Sequence, residues 1–483
     1  MKFTAKPYVP VILILTLWIF FGSVQGQSIV DSNRKLDDTM KTLSLDELYK
    51  IILNNHPVVR QAGLLSEMAQ QEVRLARGSF DPKLASSFEH KEFENKTYYS
   101  KLDAYVNFPT WFPVNPKVGY QYNSGALLNS EDAIPGGKQL YAGVSIPIGR
   151  GLFTDERRTA VKQARLFNTI ATADQLKIIN KVLLDAAKGY WQWYYGYNQY
   201  LLSTQAIVLA DEVYSRVKIN VEQGEAASID TIQARVTLQS RRVDRQEAWL
   251  VFQNSGIEIS NFLWDGQGNP VQLDPAIIPA LYTEYETVIK NELLEDLVMR
   301  AKVNHPELIK LNTKLTQLDI EKSLAKEFLK PQLDLNYSVL SQPSAPQNID
   351  FLNDYKAGLE FSFPIFLRKE RSKIAITKLK IESTNFQLDQ LERTIINEIN
   401  SVFNELVNTR IIITQQEDVV DLYNRLLKAE LLNLENGESD LFKINIQQEK
   451  LLQSQSKLLK LKSEFQKQLA LLYWSAGTRI ASN

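Results

Sequence analysis

The chain is built twice. A single offset of 249 residues carries Leu45-Asp46-Glu47-Leu48 onto Leu294-Glu295-Asp296-Leu297, Asn55-His56-Pro57 onto Asn304-His305-Pro306, and Pro82 with Leu84 onto Pro331 with Leu333. Later landmarks repeat in the same order. Ala142-Gly143 before Pro147-Ile148 answers Ala357-Gly358 before Pro364-Ile365, Gln223-Gly224-Glu225 answers Asn436-Gly437-Glu438, and Phe262-Leu263-Trp264 answers Leu472-Tyr473-Trp474. Whatever the first copy folds into, the second must fold into as well, so the duplication constrains the fold before composition does.

Each copy reads as helix, strand region, very long helix, glycine turn and return helix. The first copy covers residues 27–264, with a strand region at 83–148 and a hairpin tip near Gly224. The second covers 291–476, with a strand region at 332–365 and a tip near Gly437. Residues 265–290 link the copies, and 477–483 form a tail.

The helices are long. No proline or glycine interrupts the stretch from Arg371 to Leu434, and apolar residues recur at Leu388, Leu391, Ile395, Ile399, Val402 and Leu406. That 3/4 alternation marks a helix with one buried seam. Roughly 60 residues at about 1.5 Å each make a rod of about 95 Å, far beyond a globular helix. The matching stretch from Asp155 to Glu222 carries Gly189 and Gly196 as an interruption within an aromatic-rich region. The return helices, 228–264 and 440–474, reach about half as far. The amino-terminal helices, Pro57–Arg77 and Pro306–Leu329, supply the remainder by stacking end to end with them, each proline sitting in a first helical turn.

In the second strand region, 333–339 and 359–363 alternate strictly. Asp334, Asn336, Ser338, Glu360 and Ser362 form a polar face opposite Leu333, Leu335, Val339, Leu359 and Phe361. A barrel with lipid outside and water inside requires this pattern, and a soluble hairpin with one face on a core produces it too. The first strand region is about twice as long and less regular, leaving room for extra strands or a large external loop. Its aromatics Tyr98, Tyr99, Tyr105, Phe108, Trp111 and Phe112 suit an interfacial girdle.

The amino terminus orders basic Lys2 and Lys6, an apolar run from Val9 to Phe21, and small residues through Gly26. This predicts a secretory signal peptide over residues 1–26. Beyond it no apolar stretch is long enough for a membrane helix, so a membrane role would require a β-barrel. Cysteine is absent, which excludes thiol chemistry, disulfides and a lipidated cysteine anchor. A net charge of −1 gives none of the basic excess a nucleic-acid binder needs.

Of three histidines, His56 and His305 occupy duplicate positions beside helix-starting prolines, which predicts a structural role and no metal ligation. The aromatic group from Tyr190 to Tyr200 follows helical spacing and predicts packing at a helix crossing. No nucleophilic motif, phosphate loop or ligand cluster stands out, so neither catalysis nor a cofactor is expected.

The duplication, the Asn-His-Pro segments, the strand-ending Ile146-Pro147-Ile148 and Phe363-Pro364-Ile365, and the paired glycine turns together resemble the TolC-like outer-membrane factors. The resemblance covers essentially the whole chain after the leader. It implies a mostly α protein with a membrane β-barrel portion: a homotrimer with four strands per protomer in a twelve-stranded barrel, continued by a twelve-helix periplasmic tunnel. It further implies an outer-membrane channel of a tripartite efflux or type I secretion system, contacting outer-membrane lipid and energised by an inner-membrane pump. The hairpin tips, with Gly224, Glu225, Asp230, Gly437, Glu438 and Asp440, would meet a periplasmic adaptor protein. The family's latch residues fall here on Leu434 and Ser439, and its paired aspartates on Lys443 and Ile446, so the usual latch and acidic ring are not kept. Glu222, Glu225, Glu435, Glu438 and Asp440 nonetheless leave both tips acidic. A soluble periplasmic coiled-coil scaffold or adaptor is the alternative, and it would need the strands to form a water-soluble sandwich.

Overall fold

The computed structural model describes residues 41–280, 291–347, 349–436 and 438–478. The expected signal peptide, part of the inter-repeat linker, Gly437 and residues 479–483 lie outside the described residues. Every element below lies within Thr42–Asn483.

The Asn-His-Pro segments are helix corners. Helix α1, Leu45–Asn55, starts at a capping box in which Ser44 and Glu47 satisfy each other's backbone N–H. It ends at His56, whose extended backbone turns the chain into α2, Pro57–Arg77. The second copy repeats the corner with α5, Asn291–Asn304, His305, and α6, Pro306–Glu327.

The long helices are α3, Glu156–Glu222, of 67 residues, and α7, Arg368–Glu435, of 68. Both are continuous, so Gly189 and Gly196 do not interrupt α3. At Gly196 a Cβ would come within 3.0 Å of the Phe252 backbone, so this glycine lets a second helix lie close against α3. That helix is α4, Ser228–Ser260, of 33 residues, and its counterpart is α8, Leu441–Ser475, of 35. The short helices extend the half-length ones. The corner residue His56 meets Phe262 and Trp264 beyond the end of α4, and Gly477 beyond the end of α8 packs on His305 and Pro306. Neighbours run α4, α3, α8, α7 along the tip half and α2, α3, α6, α7 along the other half. The result is a layer four helical columns wide, with α2 and α4 on one edge and α7 on the other.

Burial follows the predicted seam. Ile395, Ile399, Val402 and Leu406 of α7 are buried against Phe465, Leu472, Leu297 and Leu308, with Leu388 and Leu391 partly buried beside them. In the first copy the corresponding core is aromatic: Tyr190, Trp191, Trp193 and Tyr194 pack with Phe252 and Ile259 of α4 and Leu48 and Ile52 of α1. Tyr190 donates its hydroxyl to the Leu43 carbonyl, in a short strand β1, Thr42–Leu43.

The strand regions form one sheet. Its first-copy strands are β2, Lys83–Phe93, β3, Lys96–Asn107, β4, Asn115–Ser124, and β5, Lys138–Pro147. After β6, Ile278–Pro279, which pairs only with β1, come β7, Gln332–Ser341, and β8, Tyr355–Ser362. The order is β2-β3-β4-β5-β7-β8, all antiparallel. This corrects the four strands per protomer implied by the resemblance: the sheet has six. The extra length of the first strand region is a second hairpin paired within the sheet, not an external loop.

Candidate functional site

The residues singled out in the sequence fall on two surfaces: one face of the sheet, and the hairpin tips at the other end of the helices. On the sheet, the register places Asp334 opposite Glu360, Asn336 opposite Gly358, and Gln332 opposite Ser362, while Ser338 pairs with Lys356. Side chains alternate across a strand, so Asp334, Asn336, Ser338, Glu360 and Ser362 share one face. The ladder continues that face through Gly143 and Ser145 of β5 to Lys117, Gln121, Asp103 and Glu89. The opposite face carries Leu84, Val106, Val118, Ile146, Leu335 and Leu359.

Sequence reading missed the polar side of β3 and β4 because tyrosines stand where small polar residues would have signalled alternation. Tyr141 lies across Gly119, where a Cβ would be 2.4 Å from the ring, and donates its hydroxyl to Asp103 Oδ1 at 2.9 Å. Lys117 Nζ sits 3.6 Å from the centre of the Tyr105 ring, and Lys101 lies over Tyr99 and pairs with Asp132. Tyr99 and Tyr105 thus belong to the polar face with Asp103. This corrects their expected place in an outward girdle: strand alternation puts these rings on the polar face, where lysines lie over them. Trp111 packs on Phe80 beneath the sheet, 5.4 Å between ring centres.

At the first tip, Gly224 takes φ +80, the left-handed conformation that ends α3, and Glu225 N donates to Asn220 O at 2.8 Å. The second tip repeats this bond, with Glu438 N donating to Asn433 O at 2.8 Å. Two of the singled-out carboxylates serve as caps. Asp230 Oδ2 accepts from Ala227 N at 3.2 Å, and Asp440 Oδ1 accepts from Lys443 N at 2.9 Å. Glu225 and Glu438 are exposed. At the positions where the family would carry its latch, Leu434 packs against the core near the tips, and Ser439 donates to Glu430 Oε2 at 2.6 Å on its own hairpin. Lys443 sits 3.9 Å from Asp440. Farther from the tips, Arg241 of α4 donates to Glu449 of α8 at 2.6 Å and ties the two hairpins together. Burial raises the Glu449 pKa, but the Arg241 hydrogen bond and charge outweigh it and hold the carboxyl below the ordinary range.

His56 and His305 are caps. Their Nδ1 atoms accept from Val58 N at 3.2 Å and from Glu307 N at 3.3 Å. Among the described residues no group of three His, Asp or Glu side chains has the arrangement to hold a metal ion, and no helix is long and apolar enough to cross a membrane.

No family model matches the chain, and no curated protein matches it by sequence. Solved structures do match. The chain superposes on the CmeC outer membrane channel of Campylobacter jejuni with a TM-score of 0.62 at 14% identity, covering 91% of this chain and 87% of that one. For the outer membrane protein VceC of Vibrio cholerae the TM-score is 0.62 at 13% identity, with coverage of 90% and 96%. For the open state of the Neisseria gonorrhoeae MtrE outer membrane channel it is 0.63 at 14%, with 91% of each chain covered. At such low identity the likeness is one of fold: a mostly helical, duplicated chain with one antiparallel sheet, as in the TolC-like channels.

Proposed function

We propose that this chain, which carries the fold of TolC-like outer-membrane channels, is the protomer of a bacterial outer-membrane conduit. In this reading the sheet forms barrel wall, the helices cross the periplasm, and the protein moves solutes without catalysing a reaction. The observation that carries it is the sheet itself: one face polar, the other apolar with large side chains exposed on it, and both edges unpaired among the described residues. Leu84 is 79% exposed and Phe361 66%. Lipid would cover that face, and neighbouring copies would pair the edges.

Three copies close the barrel and, with four helical columns each, a tunnel of twelve columns. Asp334, Asn336, Ser338, Glu360 and Ser362 then line the lumen. The tips, with Gly224, Glu225, Asp230, Gly437, Glu438 and Asp440, meet a periplasmic adaptor, through which an inner-membrane pump drives export. The soluble-scaffold reading needs a second layer over the apolar face, and the described residues offer none.

The test is fractionation followed by planar-bilayer recording. Recovery with the outer membrane, a trimeric mass in mild detergent and stepwise current are expected. Soluble periplasmic protein that stays monomeric and passes no current would overturn the proposal.

A further inference from the structure

Resting on the channel reading, the strand count sets the width of the barrel. We propose that each protomer contributes all six strands to the wall, with β2 of one copy hydrogen-bonded to β8 of the next, so that three sets of six close an eighteen-stranded barrel.

The inserted hairpin is wall and not flap. One unbroken line of partners crosses the whole sheet: Lys83 to Asn107, Asn107 to Lys117, Lys117 to Gly143, Gly143 to Ser338, and Ser338 to Lys356. β2 and β3 pair from their helix-proximal ends outward, with a single register shift at Lys91/Glu92 near the far turn. Their outward residues Leu84 and Val106, in line with Val118 of β4, continue the apolar face of Leu335 and Leu359, which a hairpin standing in water would not need.

The edges are matched. β2 leaves α2 and runs away from the helices, whereas β8 runs back toward α7, so a seam between them is antiparallel like every other pairing in the sheet. The helical layer ends on the same two sides, with α2 and α4 below the β2 edge and α7 below the β8 edge. Both helical edges carry exposed apolar residues, Met68 and Val236 on one and Leu379 and Leu422 on the other. One rotation between copies therefore closes sheet and helices together.

The widths agree as well. Strands about 4.8 Å apart and tilted about 40° occupy about 6.3 Å of circumference each, so six span about 38 Å and four only about 25 Å. Four helical columns at about 8–10 Å span about 32–40 Å. Six strands thus let the tunnel pass into the barrel without a taper, and any sieving by size falls to the hairpin tips.

The chain has no cysteine, so disulfide trapping is unambiguous. Leu359→Cys on the outward face of β8 is combined in turn with Leu84→Cys, Ser86→Cys and Phe88→Cys on β2, and with Val118→Cys on β4, then oxidised in membranes. A β2 position is expected to give a reducible ladder ending at three protomer masses. A ladder from the Val118→Cys pair would overturn the proposal, because β4 would then be the wall edge. Protein that conducts yet links at no β2 position overturns it while the channel reading stands. Protein that neither links nor conducts removes the channel reading, and the wide barrel with it.

Discussion

Two kinds of residue repeat their job in both copies or fail to, and each makes a measurable difference. His56 and His305 turn the chain from one helix into the next and cap the second through an unprotonated Nδ1. Burial is the main cause that pushes both imidazoles below the ordinary value of about 6.5. As pH falls, the unfolded chain therefore takes up protons before the folded one. The stabilisation by neutral rings is present above about 6.5 and is lost as pH drops toward the lowered folded values. The fall in Tm between pH 7.5 and 5.5 should shrink when both residues become asparagine, which caps without titrating. An undiminished fall would assign the pH dependence elsewhere. The structural role of these histidines was legible, because position beside a helix-starting proline is local information. The roles of Gly189 and Gly196 were not, since they depend on how near α4 comes. A Cβ at Gly189 meets Ile259 and Phe262 at an ordinary 3.6 Å, whereas one at Gly196 meets the Phe252 backbone at 3.0 Å. Gly189→Ala should stabilise by up to about 1 kcal/mol through helix propensity, and Gly196→Ala should destabilise, as read by chemical denaturation.

At the scale of elements, the helices were readable because a 3/4 apolar rhythm needs no partner to be recognised. That rhythm located the α7 seam, and four of its six predicted residues are buried, Ile399 and Leu406 fully. A second, exposed apolar stripe runs along α4 and includes Ile232, Val236 and Val243. The two stripes call for opposite outcomes. Ile399→Ala should cost about 2–5 kcal/mol of protomer stability, because it empties a fully buried site. Val236→Glu, at a residue 63% exposed in the protomer, should leave helix content unchanged and abolish the trimeric mass in detergent. Trimers that survived would take α4 out of the subunit seam. The strands of the second copy were equally legible from strict alternation. Those of the first copy were not, since tyrosines and lysines on β3 to β5 pair through cation–π contacts and disguise the polar face.

For the whole molecule, the acidic tips become a functional feature only if several copies bring them together. Asp230 and Asp440 hold helix ends, whereas Glu225 and Glu438 are exposed beside the two turns. Glu225→Gln with Glu438→Gln should move the reversal potential in a salt gradient toward that of a non-selective pore, while Asp440→Asn should change it less and keep the α8 cap. A reversal potential unmoved by the double substitution would show that ions are selected elsewhere.

From the amino-acid sequence alone came the duplication, the helix lengths, the corners and turns, and the two-faced strands of the second copy, because each is encoded by residues within a few turns or a few strand positions of one another. Only the tertiary structure decided that the sheet has six strands, that Tyr99 and Tyr105 join the polar face, and that Ser439 bonds to Glu430 where a latch would otherwise stand. Those outcomes depend on which distant segments become neighbours, and strand pairing between residues as far apart as Gly143 and Ser338 leaves no periodic trace in either one.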